Sequence, residues 1–201
     1  MVLYEDSILI QKIFNRLSNI ISKCFVKIGK PRLIVAEQII ENPLILRNLR
    51  EKDKTILDFG GFESILPLQL SALGYEVTVL DQMPYPFCHP NLTILCAEIF
   101  SNPLILTQKY DVVVSISTIE HLGLGHYGDA VIEDGDRKGV EILWNFLKKG
   151  GRLMASVPAG KPTIQRGYRV YNKQRLTEFF PNISSTYWFT KNGREGVWQK
   201  V

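Results

Sequence analysis

Residues 54–64 read KTILDFGGFES. Thr55, Ile56 and Leu57 make a short apolar run that closes on Asp58 and Phe59. Two glycines follow, and Ser64 then opens SILPLQLSAL (64–73), a helical stretch stopped by Gly74. A buried strand, a tight turn and a helix in that order are the first step of a strand–helix–strand unit. The same alternation continues outward. YEVTVLD (75–81), NLTILCAE (91–98), YDVVVSIS (110–117) and GRLMASVP (151–158) read as further strands. GVEILWNFLKKG (139–150) reads as an amphipathic helix with Lys148 and Lys149 in its last turn and Gly150 as its stop. Asn172 is the expected N-cap of a helix over NKQRLTEFF (172–180). ISSTYWFT (183–190) and EGVWQKV (195–201) form an expected antiparallel hairpin around KNGR, where Asn192-Gly193 is a strong turn signal. The fold class predicted is α/β, a mostly parallel seven-stranded sheet with helices on both faces and a C-terminal hairpin.

Composition agrees with one globular unit of ordinary make-up. The chain has 201 residues, 45% of them apolar and 22% charged, enough to bury a core without disulfides. Cys24, Cys88 and Cys96 show no ligand or redox spacing, and an odd count without a framework points to reduced thiols and a cytoplasmic setting. No apolar run is long enough to span a bilayer and no signal-peptide pattern opens the chain. The net charge is +4, from 24 basic and 20 acidic residues. Six of the former and two of the latter fall in residues 1–32. The rest of the chain is neutral, which argues against a nucleic-acid partner.

That basic segment is expected to be helical. Leu9, Ile13, Leu17, Ile20, Ile21, Cys24 and Ile28 recur at helical spacing, with cations on the other side. Such a helix packs on the domain or on a second copy in a homodimer, or lies on an anionic membrane surface as a peripheral contact. A second helix is expected over RLIVAEQIIEN (32–42), ending near Pro43. The division predicted is a helical extension, residues 1–49, and an α/β domain, residues 50–201.

In parallel sheets of this kind ligands bind beyond the carboxyl ends of the strands, where strand order reverses. Three consecutive strand ends carry chemistry suited to a nucleoside. Gly60 and Gly61 allow a close backbone approach. Asp81 is placed to accept from the two hydroxyls of a ribose, and Glu98 to reach an adenine amino group. A dinucleotide fingerprint would need a third glycine, which Phe62-Glu63-Ser64-Ile65 lacks, and Glu63 would repel a pyrophosphate. Asp58, Glu63 and Asp81 suit a ligand with a cationic centre, and S-adenosylmethionine is one.

The run ILDFGGFES…EVTVLD…LCAE…YDVVVSISTIEHLGLGHYGD…LKKGGRLMASVP resembles the class I S-adenosylmethionine-dependent methyltransferases, over roughly residues 50–201. The resemblance implies a Rossmann-like fold, S-adenosylmethionine as cofactor, and cofactor contacts at Asp58, Gly60, Gly61, Asp81, Glu98 and Glu120. GGF stands where that family has G-x-G, so the path of the loop differs. EHLGLGHYGD further resembles a poorly characterised subgroup associated with cell-surface glycan synthesis.

Strand four delivers STIEHLGLGHYGD (117–129) above the sheet. Methyl transfer needs a nucleophile held in line with the sulfur–methyl bond and a group to take its proton. His121 and His126 are the candidate bases, and Glu120 can orient the His121 ring. Tyr127 lies in a loop made permissive by Gly123, Gly125 and Gly128; it serves the substrate or anchors the loop. Glu133, Asp134 and Asp136 raise a metal possibility but miss a calcium-loop spacing and read as a solvated acidic loop, so no metal is expected. VPAGKPTIQRGYRVYN (157–172) reads as a loop on the acceptor side, with Arg166, Tyr168 and Arg169 able to bind a sugar, phosphate or carboxylate. Cys88 and His89 read as turn residues beside the adenine.

The expected function is therefore transfer of a methyl group to a hydroxyl of a small molecule or glycan. Two alternatives remain at this level. One is a nicotinamide-dependent oxidoreductase, although no Tyr-x-x-x-Lys pair follows strand four. The other is a non-catalytic binding module on the same fold.

Overall fold

The computed structural model describes residues 37–62, 64–101, 107–165, 167–191 and 198–201. The segment expected to form a basic N-terminal helix, Glu63, Arg166 and the expected turn at Asn192-Gly193 lie outside the described residues. By compactness the chain divides into residues 36–190 with 198–201, and residues 1–35 with 191–197. Lys191 apart, everything described below lies in the larger unit.

Its elements are α1 (Gln38–Asn48), β1 (Thr55–Phe59), α2 (Leu66–Ala72), β2 (Glu76–Asp81), β3 (Leu92–Cys96), β4 (Tyr110–Ile116), a 3-10 turn (Ile119–His121), α3 (Gly135–Asn145), β5 (Leu147–Ser156), β6 (Thr163–Gln165), β7 (Tyr168–Val170), α4 (Lys173–Phe179), β8 (Phe189–Lys191) and β9 (Trp198–Lys200). β1 to β5 form one parallel sheet in the order β3-β2-β1-β4-β5. Strand order therefore reverses between β1 and β4, and the carboxyl ends of β1, β2 and β4 share one edge.

Alternation along the strands sorts the core into two clusters. Leu57, Phe59 and Val113 pack with Val140 and Leu143 of α3 and Phe179 of α4. Ile56, Val112 and Val114 pack with Ile45 of α1 and with Leu66 and Leu70 of α2. β1 is buried along its whole length, as a central strand covered on both sides must be.

Several expectations change. The sheet has five strands among the described residues, not seven. β6 and β7 form a separate antiparallel pair, and β8 and β9 another two-stranded sheet. α1 does not stop near Pro43 but runs through it to Asn48. The lost hydrogen bond of proline is outweighed because the next turn buries Ile45 and packs Leu46 against the sheet. α3 ends at Asn145, and Lys148 sits in β5, where its Nζ bonds Thr55 Oγ1 at 2.9 Å and Asp111 at 3.1 Å. Gly150, at φ 77°, turns the bulged start of β5 instead of stopping a helix. The stretch read as a loop after strand five contains the β6–β7 hairpin, turned at Gly167 with φ 93°. Asn172 does cap α4: its Oδ1 accepts from Arg175 N at 2.9 Å.

Candidate active site

The loop after β1 turns at Gly60, whose φ of 80° is left-handed and whose N–H bonds Leu80 O at 2.9 Å. A side chain at Gly60 would overlap that of Thr118, just past β4, so the ends of the two central strands are pressed together. A Cβ at Gly61 would come to 3.0 Å from Asp58 Oδ1 and 3.3 Å from Pro67 Cγ. The path of the GGF loop is thus set by contact with the second glycine's missing side chain.

Asp58 is buried, and its Oδ2 has no hydrogen-bond partner. Burial, with the charge of Asp81, pushes its carboxyl up to about 7. Asp81 is half-buried at the end of β2. Its Oδ2 accepts from Phe62 N at 3.1 Å and its Oδ1 from Met83 N at 2.8 Å, which ties the two loops through one carboxylate. Glu98 is turned onto its own loop, where Phe100 N (3.0 Å), Ser101 N (2.6 Å) and Ser101 Oγ (2.6 Å) occupy both of its oxygens.

Past β4 the backbone is strained. Ser117 has φ 47°, a left-handed conformation rare in non-glycine residues, and the 3-10 turn follows at once. Glu120 points inward and is 2% exposed. One oxygen lies 4.0 Å from His121 Nε2 while Oε2 has no partner. Burial, followed by the charge of Glu41, pushes its carboxyl up to about 8.

His121 is fixed by the β6–β7 turn, its Nδ1 lying 2.7 Å from Gly167 O. A carbonyl accepts only from an N–H, so the neutral ring carries its proton on Nδ1 and leaves Nε2 as the free lone pair. Burial pulls the His121 pKa below its ordinary value despite that bond. Tyr127 and Tyr168 stand edge-on to the ring, at 5.2 and 6.2 Å between centroids.

The glycine loop is less free than its composition suggests. Asp129 accepts from Gly123 N (3.1 Å), Gly125 N (3.3 Å) and Tyr127 N (3.2 Å), and Gln82 Nε2 donates to Tyr127 O at 3.3 Å. His126 is exposed and stacks edge-on against Tyr127. A side chain at Gly167 would overlap the His126 ring. Tyr168 donates to Gln165 Oε1 at 3.0 Å.

Two sequence expectations are redirected. Arg169, read as a substrate ligand, is buried. Its Nη1 donates to Leu122 O at 2.6 Å and Glu120 O at 3.4 Å, and its Nε lies 3.6 Å from Asp136. Asp136, read as part of a solvated acidic loop, is fully buried. It accepts from Tyr171 OH at 2.9 Å and from Arg175 Nη2 at 2.8 Å. Together they strap the 3-10 turn to α3, β7 and α4. The sequence reading missed Glu41 of α1. Its Oε1 accepts from Ser117 Oγ at 3.4 Å, and nothing in the helical spacing of its segment marks it.

Similar architectures occur among solved proteins. The 1,6-didemethyltoxoflavin-N1-methyltransferase of Burkholderia thailandensis, solved with 1,6-didemethyltoxoflavin and S-adenosylhomocysteine, matches with a TM-score of 0.63 at 12% identity, over 98% of this chain and 88% of that one. Coclaurine N-methyltransferase, bound to N-methylheliamine and S-adenosylhomocysteine, matches with a TM-score of 0.56 at 14% identity, over 81% and 54%. An O-methyltransferase family protein of B. thailandensis matches with a TM-score of 0.52 at 10% identity, over 77% and 54%. The chain thus spans about half the length of the last two. No curated protein matches it in sequence. The fold is that of the class I S-adenosylmethionine-dependent methyltransferases. The chain itself belongs to the DUF268 family, described as a Caenorhabditis protein of unknown function, whose profile matches residues 86–196. Among the described residues no helix is long and apolar enough to cross a membrane.

Proposed function

We propose that this protein is an S-adenosylmethionine-dependent methyltransferase whose acceptor is a hydroxyl of a small molecule or glycan, with His121 as the base. The observation that carries the reading is the His121 ring. Its Nδ1 is committed to Gly167 O, which leaves Nε2 unprotonated on a partly exposed side chain just past the end of β4.

The residues at the neighbouring strand ends fit the cofactor. At the β1 loop the space of the two missing Cβ atoms is taken by Thr118, Asp58 and Pro67, so the fit rests on Asp81, whose carboxylate accepts one hydrogen bond at each oxygen and keeps lone pairs free for hydroxyls. Asp58 presents a buried oxygen with no partner, beside a second acid, and among the described residues no Lys or Arg forms an ion pair with it. That environment lacks a positive charge, and a sulfonium or ammonium group supplies one. When bound, the cofactor provides an electrophilic methyl group. The chain's own part is to exclude water, hold the acceptor and remove its proton.

Proton removal falls to His121 Nε2, which takes the acceptor hydroxyl's proton while Gly167 O steadies the resulting imidazolium through Nδ1–H. Tyr127 and Tyr168 stand edge-on to the His121 ring and offer aromatic surface to a sugar or other ring. Arg166 remains a candidate acceptor ligand by sequence alone. Glu98 enters the cofactor site only if its loop re-forms.

The test begins with calorimetric titration of the full chain with S-adenosylmethionine and S-adenosylhomocysteine, repeated with Asp81→Ala. Saturable binding that the variant loses supports the ribose assignment, and unchanged binding in the variant refutes it. With methyl-labelled cofactor and a panel of sugars, His121→Ala is expected to lower kcat by roughly 10²–10⁴-fold with cofactor affinity unchanged.

A further inference from the structure

Glu41 and Glu120 reach the carboxyl ends of β4 and β5 from opposite directions. Glu41 comes from α1, its Oε1 accepting from Ser117 Oγ at 3.4 Å, and Ser117 N in turn donates to Oγ of Ser156, the last residue of β5, at 3.0 Å. Glu120 comes from the 3-10 turn three residues after Ser117, and its side chain is 2% exposed. Each carboxyl has one buried oxygen, Oε2 in both cases, with no hydrogen-bond partner. Among the described residues no Lys or Arg lies within ion-pair distance of either, and the only charged-pair neighbour of Glu120 is His121 Nε2 at 4.0 Å.

Buried carboxylates are ordinarily paired. Here neither carboxyl makes an ion pair with a Lys or Arg among the described residues, the Arg169 guanidinium reaching only the Glu120 carbonyl at 3.4 Å, and the charge of Glu41 acts on Glu120 as that of Glu37 acts on Glu41. The pair relieves itself by holding protons: burial, with the charge of neighbouring acids, raises both carboxyls. What is missing is one compact positive charge with several N–H donors.

We propose that Glu41 and Glu120 form a subsite for an ammonium group carried by the methyl acceptor. An ammonium has three donors, enough to satisfy both orphan oxygens and one serine hydroxyl. A divalent metal fits less well, because hard cations take six or more oxygens and no three His, Cys, Asp or Glu among the described residues are grouped to hold one. The position assigns the group to the acceptor. The glycines and Asp81 lie at the ends of β1 and β2, whereas Glu41 lies across the reversal point at β4 and β5. The inference rests on the methyltransferase reading, and narrows the acceptor to an amine-bearing hydroxyl compound such as an amino sugar or amino alcohol.

The test uses full-length protein with ¹³C-labelled glutamate carboxyls, saturated with S-adenosylhomocysteine and titrated with propylammonium and, separately, with propanol. Saturable shifts of the Glu41 and Glu120 carboxyl signals with the amine alone are expected, weakened at least tenfold in Glu41→Gln and Glu120→Gln. Circular dichroism of both variants confirms that they fold. No saturable shift, or an equal shift with propanol, overturns the subsite. If Mg²⁺ shifts the pair where the amine does not, the site is a metal site and the proposal fails. A tenfold loss of S-adenosylhomocysteine affinity in Glu41→Gln assigns the pair to the cofactor and also overturns it. If the protein binds no S-adenosylhomocysteine yet the amine still shifts both carboxyls, the cation site stands and the methyltransferase reading falls.

Discussion

Gly60 and Thr118 are 58 positions apart in sequence, yet the absence of a Cβ at the first lets the second close over it. That contact joins the β1 loop to the turn bearing Glu120 and His121, so Gly60→Ala strains both. The substitution places alanine at φ 80° and forces Thr118 outward. It is expected to lower stability by about 1–3 kcal/mol, read from the urea midpoint at unchanged slope. The paired glycines were legible in the sequence because a strand end needs a tight turn whatever the fold does later. His121 was legible as a polar residue at a strand end. Its state was not, because the atom that fixes its tautomer belongs to Gly167, 46 residues on. A nitrogen-15 titration is expected to find Nδ1 protonated and a pKa below the ordinary 6.5. The base is therefore free at neutral pH, and the rate should hold on acidification to below pH 6.5 before falling.

At the scale of elements, the β6–β7 hairpin and α4 act as a brace behind the 3-10 turn. Asp136 is its centre: one fully buried carboxylate against Tyr171 OH and Arg175, with Arg169 nearby and reaching on to Leu122 O. Removing one partner of a buried ion network leaves the others charged and unpaired. Asp136→Asn is expected to destabilise the fold by about 3–5 kcal/mol, measured by urea denaturation. The same variant should broaden the His121 resonances, because the turn loses its anchor. None of this could be read from the sequence. Asp136 stands in an acidic, glycine-bearing stretch that looks solvated, and its partners lie 35 and 39 residues downstream. The strands, in contrast, were legible from local alternation. Where the reading failed, at Pro43 and at Leu147–Gly150, a local rule gave way to a distant contact: Ile45 packing on the sheet in one case, Lys148 bonding Thr55 and Asp111 in the other.

For the whole molecule the uncompensated acids set how stability follows pH. Asp58 and Glu120 have folded-state values of about 7 and about 8, above their ordinary 3.8 and 4.5. Between the ordinary and the folded values the native state holds protons that the unfolded chain has released, so stability falls as pH rises through that window. His121 works the other way, since its lowered pKa favours the native state as pH rises, but its contribution ends near 6.5, where the unfolded imidazole has lost its proton. Asp111, held well below its ordinary value by bonds from Thr55, Lys54 and Lys148, loses its contribution only in stronger acid. From pH 6.5 to 8 the buried acids therefore act alone. One proton per molecule over that span corresponds to about 2 kcal/mol of lost stability, at about 1.4 kcal/mol per pH unit. Urea denaturation across pH 6.5–8 should show this decline, and Glu120→Gln should flatten most of it. A cation bound among these acids removes the reason for the decline, because it pairs with the charged form. At Asp58, S-adenosylmethionine, which carries the sulfonium, should then remove more of that residue's share of the decline than S-adenosylhomocysteine, which lacks it, and release more protons on binding at pH 7. Calorimetry in two buffers of different ionisation enthalpy measures that release. Equal proton release by the two ligands would mean that Asp58, at the end of β1, does not answer to the sulfonium charge.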